Sequence, residues 1–287
     1  MIKTAIVVEG GAMRGIFSAG VLDALSDAGL TDFDLAIGTS AGACNLASFV
    51  AGQRGRNKRC YLDIMCDPSL FSARRAIAGG HFMDLDWLWT QLAEREPLDE
   101  QAVASSRTQL VSTSTCAQTG KPLYHRHRQD ALDGLKGGCA LPLLYRGPVN
   151  VQGDQVVDGG VAEPIPAGEA YRRGARRLLV IRSRPVGVRK KLGPIDLLGA
   201  ALLSGHPALA RATARAARTY GESATFVEQP PGDAELIQLA PPQPLRTGRT
   251  TQQRAALEED YALGYRYTQG QLPAIETLLT TPADRAS

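Results

Sequence analysis

Short apolar runs alternate with segments of helical periodicity at the start of the chain. Residues 2–8 are apolar and β-branched and end before Gly10-Gly11, and residues 33–37 form a second short run before Gly38, which is typical of buried parallel strands. Residues 16–28 carry apolar side chains at helical spacing, with Gly29 as a C-cap, and residues 41–51 are also predicted to be helical. This order predicts the opening of a mostly parallel α/β sheet.

The pattern beyond residue 80 mixes further strands and helices. Strands are predicted at 108–115 and 178–182, a hairpin at 149–157, and helices at 84–94, 129–135, 167–173, 195–220 and 254–267. The helix at 195–220 is expected to break at Gly205-His206-Pro207, residues 229–233 and 241–244 are expected to be loops, and the residues from Pro282 are expected to fray. No repeat or linker divides the chain, so we expect one domain over residues 1–287.

Composition and charge exclude several classes of protein. With 44% hydrophobic and 21% charged residues, the chain is neither disordered nor collagen-like nor a coiled coil. A net charge of +3 does not indicate a nucleic-acid partner. Five cysteines without a C-x-x-C pair argue against a disulfide framework or a zinc site and indicate a reducing compartment. No run reaches the roughly 18 apolar residues of a membrane span, so we expect a soluble cytoplasmic protein that can still contact the inner membrane face.

The segment Gly38-Thr39-Ser40-Ala41-Gly42 is a G-x-S-x-G sequence between a predicted strand and a predicted helix. In a nucleophile elbow, the glycines allow a tight turn that lifts the serine clear of the sheet, at the positive end of a helix. The alternative is a turn of small residues with an incidental serine. The strand-turn-helix context favours Ser40 as a candidate nucleophile.

A glycine-rich loop, Glu9-Gly10-Gly11-Ala12-Met13-Arg14-Gly15, also lies between a strand and a helix. Adjacent glycines expose backbone N–H groups that can converge on an anion. A dinucleotide fingerprint would need glycine in place of Ala12, and a P-loop would need Lys and Ser/Thr where Ile16-Phe17 follow. An oxyanion hole for Ser40 and a simple tight turn both remain open.

A third motif, Asp158-Gly159-Gly160, follows the strand-like Val156-Val157. A carboxylate at a strand end, on a glycine turn, can project into a cleft. Taken alone the signal is weak, because most Asp-Gly pairs are turns.

In this order the three motifs resemble those of the patatin-like phospholipases, which carry a G-G-G-x-R/K-G loop, then G-x-S-x-G, then D-G-A/G. The similarity covers about residues 1–185 and includes the segments 139–142 and 159–166, while residues 79–87 and 230–232 resemble a bacterial branch of the family. The remaining C-terminal part, about 194–280, is predicted to be helical. Ala12 departs from the family, which has a third glycine there; its N–H is retained, but its backbone is more restricted.

The resemblance implies a three-layer α/β/α fold with a mostly parallel central sheet and a Ser-Asp dyad. Ser40 would be the nucleophile and Asp158 the base, and the N–H groups of Gly10, Gly11 and Ala12 would stabilise the oxyanion. The implied reaction is carboxyl-ester hydrolysis of phospholipid or lysophospholipid, with an acyl lipid substrate at a membrane surface and no metal or cofactor.

Two alternatives remain open at this point. A Ser-His-Asp triad on a non-lipid carboxylesterase would use Ser40, Asp158 and His206 in the chain order of α/β-hydrolases, although His206 lies at the expected helix break. His125 and His127 lie in a basic segment that we expect to be exposed. The other alternative is an inactive lipid-binding or scaffold protein, which would need no serine-aspartate pair.

Basic and aromatic positions add hypotheses about the substrate. Residues 172–191 include nine basic and no acidic residues, and Arg211, Arg215 and Arg218 recur at helical spacing. Either stretch could face anionic lipid, but a solvated face on a packed element is favoured for both. Of the two tryptophans, Trp87 is predicted to lie in the core, whereas Trp89 could lie in the core or line an acyl pocket.

Overall fold

The computed structural model describes residues 2–127, 131–142, 144–189, 203 and 205–280. The strands are β1 Thr4–Val8, β2 Leu35–Thr39, β3 Gln109–Cys116, β4 Pro122–His127, β5 Val149–Val151, β6 Asp154–Asp158, β7 Arg177–Ile181 and β8 Glu235–Leu239. The helices are α1 Gly15–Asp27, α2 Ala41–Val50, α3 Arg56–Arg59, α4 Ala73–Ile77, α5 Leu85–Arg95, α6 Glu100–Ser105, α7 Ala131–Gly137, α8 Ala167–Arg172, α9 Pro207–Glu228, α10 Arg254–Gln269 and α11 Leu272–Thr280.

The strands form one mixed sheet with helices on both faces. Its order is β5-β6-β3-β2-β1-β7-β8, with β4 paired to β3. The run β3-β2-β1-β7-β8 is parallel, whereas β4 and β6 pair with β3, and β5 with β6, in the antiparallel sense. Alternate residues of β1 contribute to hydrophobic cores on opposite faces of the sheet. Ile6 and Val8 pack with α1, α2 and α11. Ala5 and Val7 pack with α8 and α9. The expected three-layer α/β/α fold is therefore confirmed.

Strand β3 brings the ends of β2 and β6 together. Its Thr113 pairs with Thr39, the last residue of β2, and the adjacent Ser114 pairs with Asp158, the last residue of β6. Both β3 residues also pair with β4, so β2 and β6 share the other edge of β3. Because β2 is parallel to β3 and β6 is antiparallel, the two strands end head to head.

Two glycines let helix α10 pack closely on α1. A Cβ on Gly20 would overlap the Tyr261 carbonyl oxygen, and a Cβ on Gly264 would overlap the Phe17 carbonyl oxygen. This contact brings the segment that precedes α10 to the glycine-rich loop, where the Met13 N–H donates to the carbonyl oxygen of residue 249 over 3.4 Å.

The structure departs from the sequence prediction at several elements. Strands β4 and β8 and helices α3, α4, α6 and α11 were not expected, and α9 runs to Glu228, well past residue 220. Most of the predicted helical stretch before Gly205 lies outside the described residues. Among the helices that the structure describes, none combines the length and apolar composition needed to cross a bilayer.

The expectation that His125 and His127 are exposed is wrong. Both lie on β4 with only 9% and 5% of their surface accessible, whereas Arg126 between them is exposed. Alternation along a strand turns the two imidazoles inward and the arginine outward. The prediction failed because the neighbouring basic residues suggested an exposed segment, whereas buried and exposed residues alternate along β4.

Candidate active site

Ser40 lies at the turn between β2 and α2 in a backbone conformation that few non-glycine residues adopt. Its φ and ψ angles are 54° and −131°, and such strained residues cluster at functional sites. A Cβ on Gly38 would lie 2.7 Å from the Ala43 nitrogen, and one on Gly42 would lie 2.6 Å from the Val8 carbonyl oxygen. The turn therefore depends on both glycines of the G-x-S-x-G sequence.

The structure brings Ser40 and Asp158 together. The Ser40 Oγ donates a hydrogen bond of 2.6 Å to Asp158 Oδ2, and the Gly160 N–H donates one of 2.7 Å to Asp158 Oδ1. Asp158 is 1% exposed, and this burial raises the pKa of its carboxyl group to about 6, against the opposing effects of the hydrogen bonds and of the Arg249 charge. The carboxylate is therefore a stronger base than an exposed aspartate, and it lies within proton-transfer distance of a serine hydroxyl.

Neighbouring residues fix the two strand ends. The Thr39 hydroxyl is 2.6 Å from the Thr113 hydroxyl and donates to the Glu163 carbonyl oxygen over 2.7 Å. Gly159 follows Asp158 in a 3₁₀ turn, where a Cβ would overlap the Thr113 side chain. A larger residue at position 159 would thus push the turn away from β3.

The glycine-rich loop presents two free backbone donors beside Ser40. Within the described part of the chain, the N–H groups of Gly11 and Ala12 have no hydrogen-bond partner, whereas the Gly10 N–H donates to the Pro164 carbonyl oxygen over 3.3 Å. Ala12 has a φ of 49°, the left-handed conformation that favours glycine. The sequence predicts three N–H donors for an oxyanion. In the structure two of them, those of Gly11 and Ala12, have no other acceptor among the described residues.

The remaining residues of the loop are partly structural. Met13 is fully buried, and Gly15 begins α1, where a Cβ would overlap the hydroxyl group of Tyr61. That hydroxyl donates to the Ala12 carbonyl oxygen over 3.4 Å. Arg14 instead lines a cavity that opens at Ser40.

All four histidines lie in the described residues, and none of them hydrogen bonds to Ser40 or Asp158. His125 and His127 pair through Nε2 with the hydroxyls of Ser114 and Ser112, at 2.6 and 2.8 Å. Burial lowers the pKa of both imidazoles, that of His127 to about 4. His81 accepts from the Arg146 N–H, and His206 precedes α9.

Ser40 lies between two cavities of different character. A cavity of about 250 Å³ is lined by the glycine loop, Asp158 and three arginines, Arg14, Arg184 and Arg249. A second, of about 70 Å³, is lined mainly by apolar side chains of α2, α5 and the segment at 60–65. It adjoins a third of about 200 Å³, and the two share Cys44, Arg56, Trp89 and Leu92 as lining residues. Trp89 therefore lines the apolar cavities, whereas Trp87 lines none of the three.

The two basic stretches noted in the sequence, residues 172–191 and the arginines of α9, differ in burial. Arg182 is fully buried beside Glu9 and Glu228, so part of the segment 172–191 is internal. Arg211, Arg215 and Arg218 are exposed on α9 while Leu209, Ala216 and Tyr220 are buried, which confirms a packed helix with a charged outer face. Among the described residues, no group of three His, Cys, Asp or Glu side chains could hold a metal ion.

Comparison with known proteins assigns the fold and motifs to a family. The model of the patatin-like phospholipase family matches residues 6–171, and that of a domain of unknown function, DUF6363, matches residues 206–280. The chain belongs to the patatin-like phospholipase family. The family resemblance that the three motifs predict is thus confirmed.

Three similar proteins differ in how much of their length this chain spans. The uncharacterized protein YjjU of Escherichia coli strain K12 is 33% identical over 295 residues, which cover 98% of this chain and 80% of YjjU. VipD from Legionella pneumophila has a TM-score of 0.47 at 15% identity, covering 95% of this chain and 67% of its own. Human GIVD cytosolic phospholipase A2, in complex with methyl gamma-linolenyl fluorophosphonate, has a TM-score of 0.48 at 15% identity, covering 97% and 59%.

Proposed function

We propose that this patatin-like protein is a serine acyl hydrolase that cleaves carboxyl esters of lipids, with Ser40 as the nucleophile and Asp158 as the general base. The observation that carries the proposal is the 2.6 Å hydrogen bond between Ser40 and the buried Asp158 carboxylate, at the boundary of a polar and an apolar cavity. An acyl ester at this boundary would place its chain among apolar side chains and its carbonyl group at Ser40.

The proposed reaction uses the same pair of side chains twice. Asp158 Oδ2 takes the Ser40 proton as Oγ attacks the ester carbonyl carbon, and the N–H groups of Gly11 and Ala12 bind the oxyanion. As the tetrahedral intermediate collapses, Asp158 returns the proton to the departing alkoxide. Water then attacks the acyl-enzyme, Asp158 takes its proton, and the Ser40 oxygen recovers that proton as the fatty acid leaves.

Two observations support the dyad over the alternatives. Within the described residues no histidine hydrogen bonds to either side chain, and the buried carboxylate itself accepts the hydrogen bond of the serine hydroxyl. The strained backbone of Ser40 and the free N–H groups of Gly11 and Ala12 are features that a scaffold protein would not need.

Labelling with a fluorophosphonate probe tests the proposal. We expect the wild type to be labelled, Ser40→Ala to lose labelling, and Asp158→Asn to react at least 100-fold more slowly, in line with the size of general-base effects. His206→Ala is the matched control and should react like the wild type. Loss of labelling in a folded His206→Ala protein would favour a triad, and an unlabelled wild type would favour a binding role.

A further inference from the structure

The large cavity beside Ser40 concentrates positive charge that no described carboxylate pairs with. Arg14 follows the glycine loop, Arg184 follows β7, and Arg249 precedes α10, so three separate segments supply the guanidinium groups. Within the described residues none of the three forms an ion pair, and the buried Nε atoms of Arg14 and Arg184 have no hydrogen-bond partner. By contrast, Arg182 lies 3.2 Å from a Glu228 oxygen.

The two carboxylates that line this cavity are already committed. Glu9 accepts from the backbone N–H and the hydroxyl of Ser183, over 2.8 and 3.0 Å, and lies 3.8 Å from the Arg182 Nε. Asp158 accepts from Ser40 and Gly160. With three guanidinium groups against two carboxylates that are already bonded elsewhere, the described lining of the cavity carries a net positive charge.

Arg184 and Arg249 lie close enough to Arg14 to repel its positive charge. Burial, and then the charges of Arg184 and Arg249, lower the pKa of Arg14 to about 10 despite the nearby Glu9 carboxylate. Its only side-chain hydrogen bond is a long one, 3.4 Å to the Ser183 hydroxyl. Arg184 lies over the Tyr220 ring at 5.3 Å, which holds the guanidinium at the cavity wall. A bound anion would relieve the repulsion and fill the unused donors.

We propose that Arg184 and Arg249, together with Arg14, form a subsite for an anionic head group, so that the enzyme prefers acidic glycerophospholipids to zwitterionic ones. This inference rests on the proposed function, because it places the head group by the position of the ester at Ser40. The acyl chain enters the apolar cavities, the ester carbonyl lies at Ser40, and the phosphate enters the cationic cavity. A zwitterionic head group is disfavoured because its ammonium group would approach the same three guanidinium groups.

Monomeric short-chain lipids test the subsite without the charge of a membrane surface. We expect the wild type to hydrolyse dihexanoyl phosphatidate with a kcat/KM at least about tenfold above that for dihexanoyl phosphatidylcholine. Arg184→Gln and Arg249→Gln should each reduce this ratio about tenfold, mainly through KM for phosphatidate, as expected for loss of a charge-assisted hydrogen bond. Arg249 is exposed, so its variant should fold even if Arg184→Gln does not.

Arg211→Gln and Arg215→Gln are the matched controls, since both arginines are exposed on α9 and line none of the three cavities. They should leave the ratio unchanged. A wild-type ratio near one, a ratio retained in both the Arg184 and Arg249 variants, or equal losses in the controls would each overturn the subsite.

Binding separates this inference from the proposed reaction. In the Ser40→Ala protein, calorimetry should show tighter binding of dihexanoyl phosphatidate than of dihexanoyl phosphatidylcholine, and Arg249→Gln should weaken it. Selective binding without wild-type turnover would overturn the proposed reaction and retain the subsite. Turnover without selective binding, or inorganic phosphate binding as tightly as phosphatidate, would overturn the assignment to a lipid head group.

Discussion

The Ser40 hydroxyl and the Asp158 carboxylate share a 2.6 Å hydrogen bond although 118 positions separate them in the sequence. Strand β3 accounts for this meeting, since Thr113 and Ser114 pair with the ends of the two strands that carry them. The position of each side chain is thus set by the sheet. Conservative changes at either residue should alter chemistry and stability without moving the backbone.

The activity should decline in acid as Asp158 becomes protonated. Burial raises the pKa of its carboxyl group to about 6, and the proposed base works only when ionised. We expect kcat/KM to fall about tenfold per pH unit below pH 6, measured on a soluble ester with a non-ionising leaving group.

Glu163→Gln provides the control for this profile, because burial also raises the pKa of Glu163, to about 7. The acid limb should remain near pH 6 in that variant. If the decline in acid disappeared in Glu163→Gln, the titration would belong to Glu163, which would contradict the role of Asp158.

Asp158→Asn should stabilise the fold while it removes the activity. The native pKa of about 6 lies above the unfolded value of about 3.9, so the native state binds more protons between these values and loses stability as the pH rises through them. Asparagine carries no charge to bury. We expect the free energy of unfolding at pH 8 to rise by about 1–3 kcal/mol in the variant, with no difference near pH 3, measured by urea denaturation.

The exposed Asp154, at the other end of β6, offers a matched substitution. Asp154→Asn should change stability by less than about 0.5 kcal/mol at both pH values. A stability gain in Asp158→Asn that is the same at pH 3 and pH 8 would contradict the electrostatic explanation.

Ala12→Gly should relieve strain in the glycine-rich loop. Ala12 has a φ of 49°, and a side chain in this region costs about 1 kcal/mol relative to glycine. We expect the free energy of unfolding to increase by about 0.5–1 kcal/mol. The same exchange at Ala24, a buried residue inside α1, should instead decrease it by about 1 kcal/mol; equal signs at both positions would show that φ is not the cause.

Trp89 should limit the length of the acyl chain. Its indole lines both apolar cavities, of about 70 and 200 Å³, so Trp89→Leu should remove part of the wall between them. We expect the ratio of kcat/KM for hexadecanoyl over butanoyl esters to rise severalfold. Trp87→Leu, on the same helix but away from the cavities, should not change the ratio, and similar changes in both variants would indicate a general loosening of α5.

The part of the site that the sequence could predict is the part encoded locally. The segment around Ser40 contains its own strand end, glycines and helix start, so its turn could be predicted without the rest of the fold. Asp158 has only a glycine turn beside it, and its pairing with Ser40 came from the family resemblance. The register of β3 that joins them is not visible in any one segment.

The arginine cluster was missed for a different reason. Arg249 reaches the cavity because α10 packs on α1 through Gly20 and Gly264. The sequence around neither glycine predicts a contact between helices. The basic residues around Arg184 suggested a solvated face, whereas Arg182 proved fully buried. The number of basic residues in a segment does not show which guanidinium groups form ion pairs with carboxylates in the folded protein.

The head-to-head ending of β2 and β6 also sets when Ser40 acquires its partner during synthesis. Chains grow from the N-terminus, and Asp158 must emerge and β6 must dock on β3 before the carboxylate can reach the hydroxyl. A nascent chain that has passed Ser40 therefore carries an ordinary serine for more than a hundred further residues. The reactivity proposed for Ser40 belongs to the assembled sheet, so unfinished chains and fragments that stop before β6 would be harmless to the lipids around them.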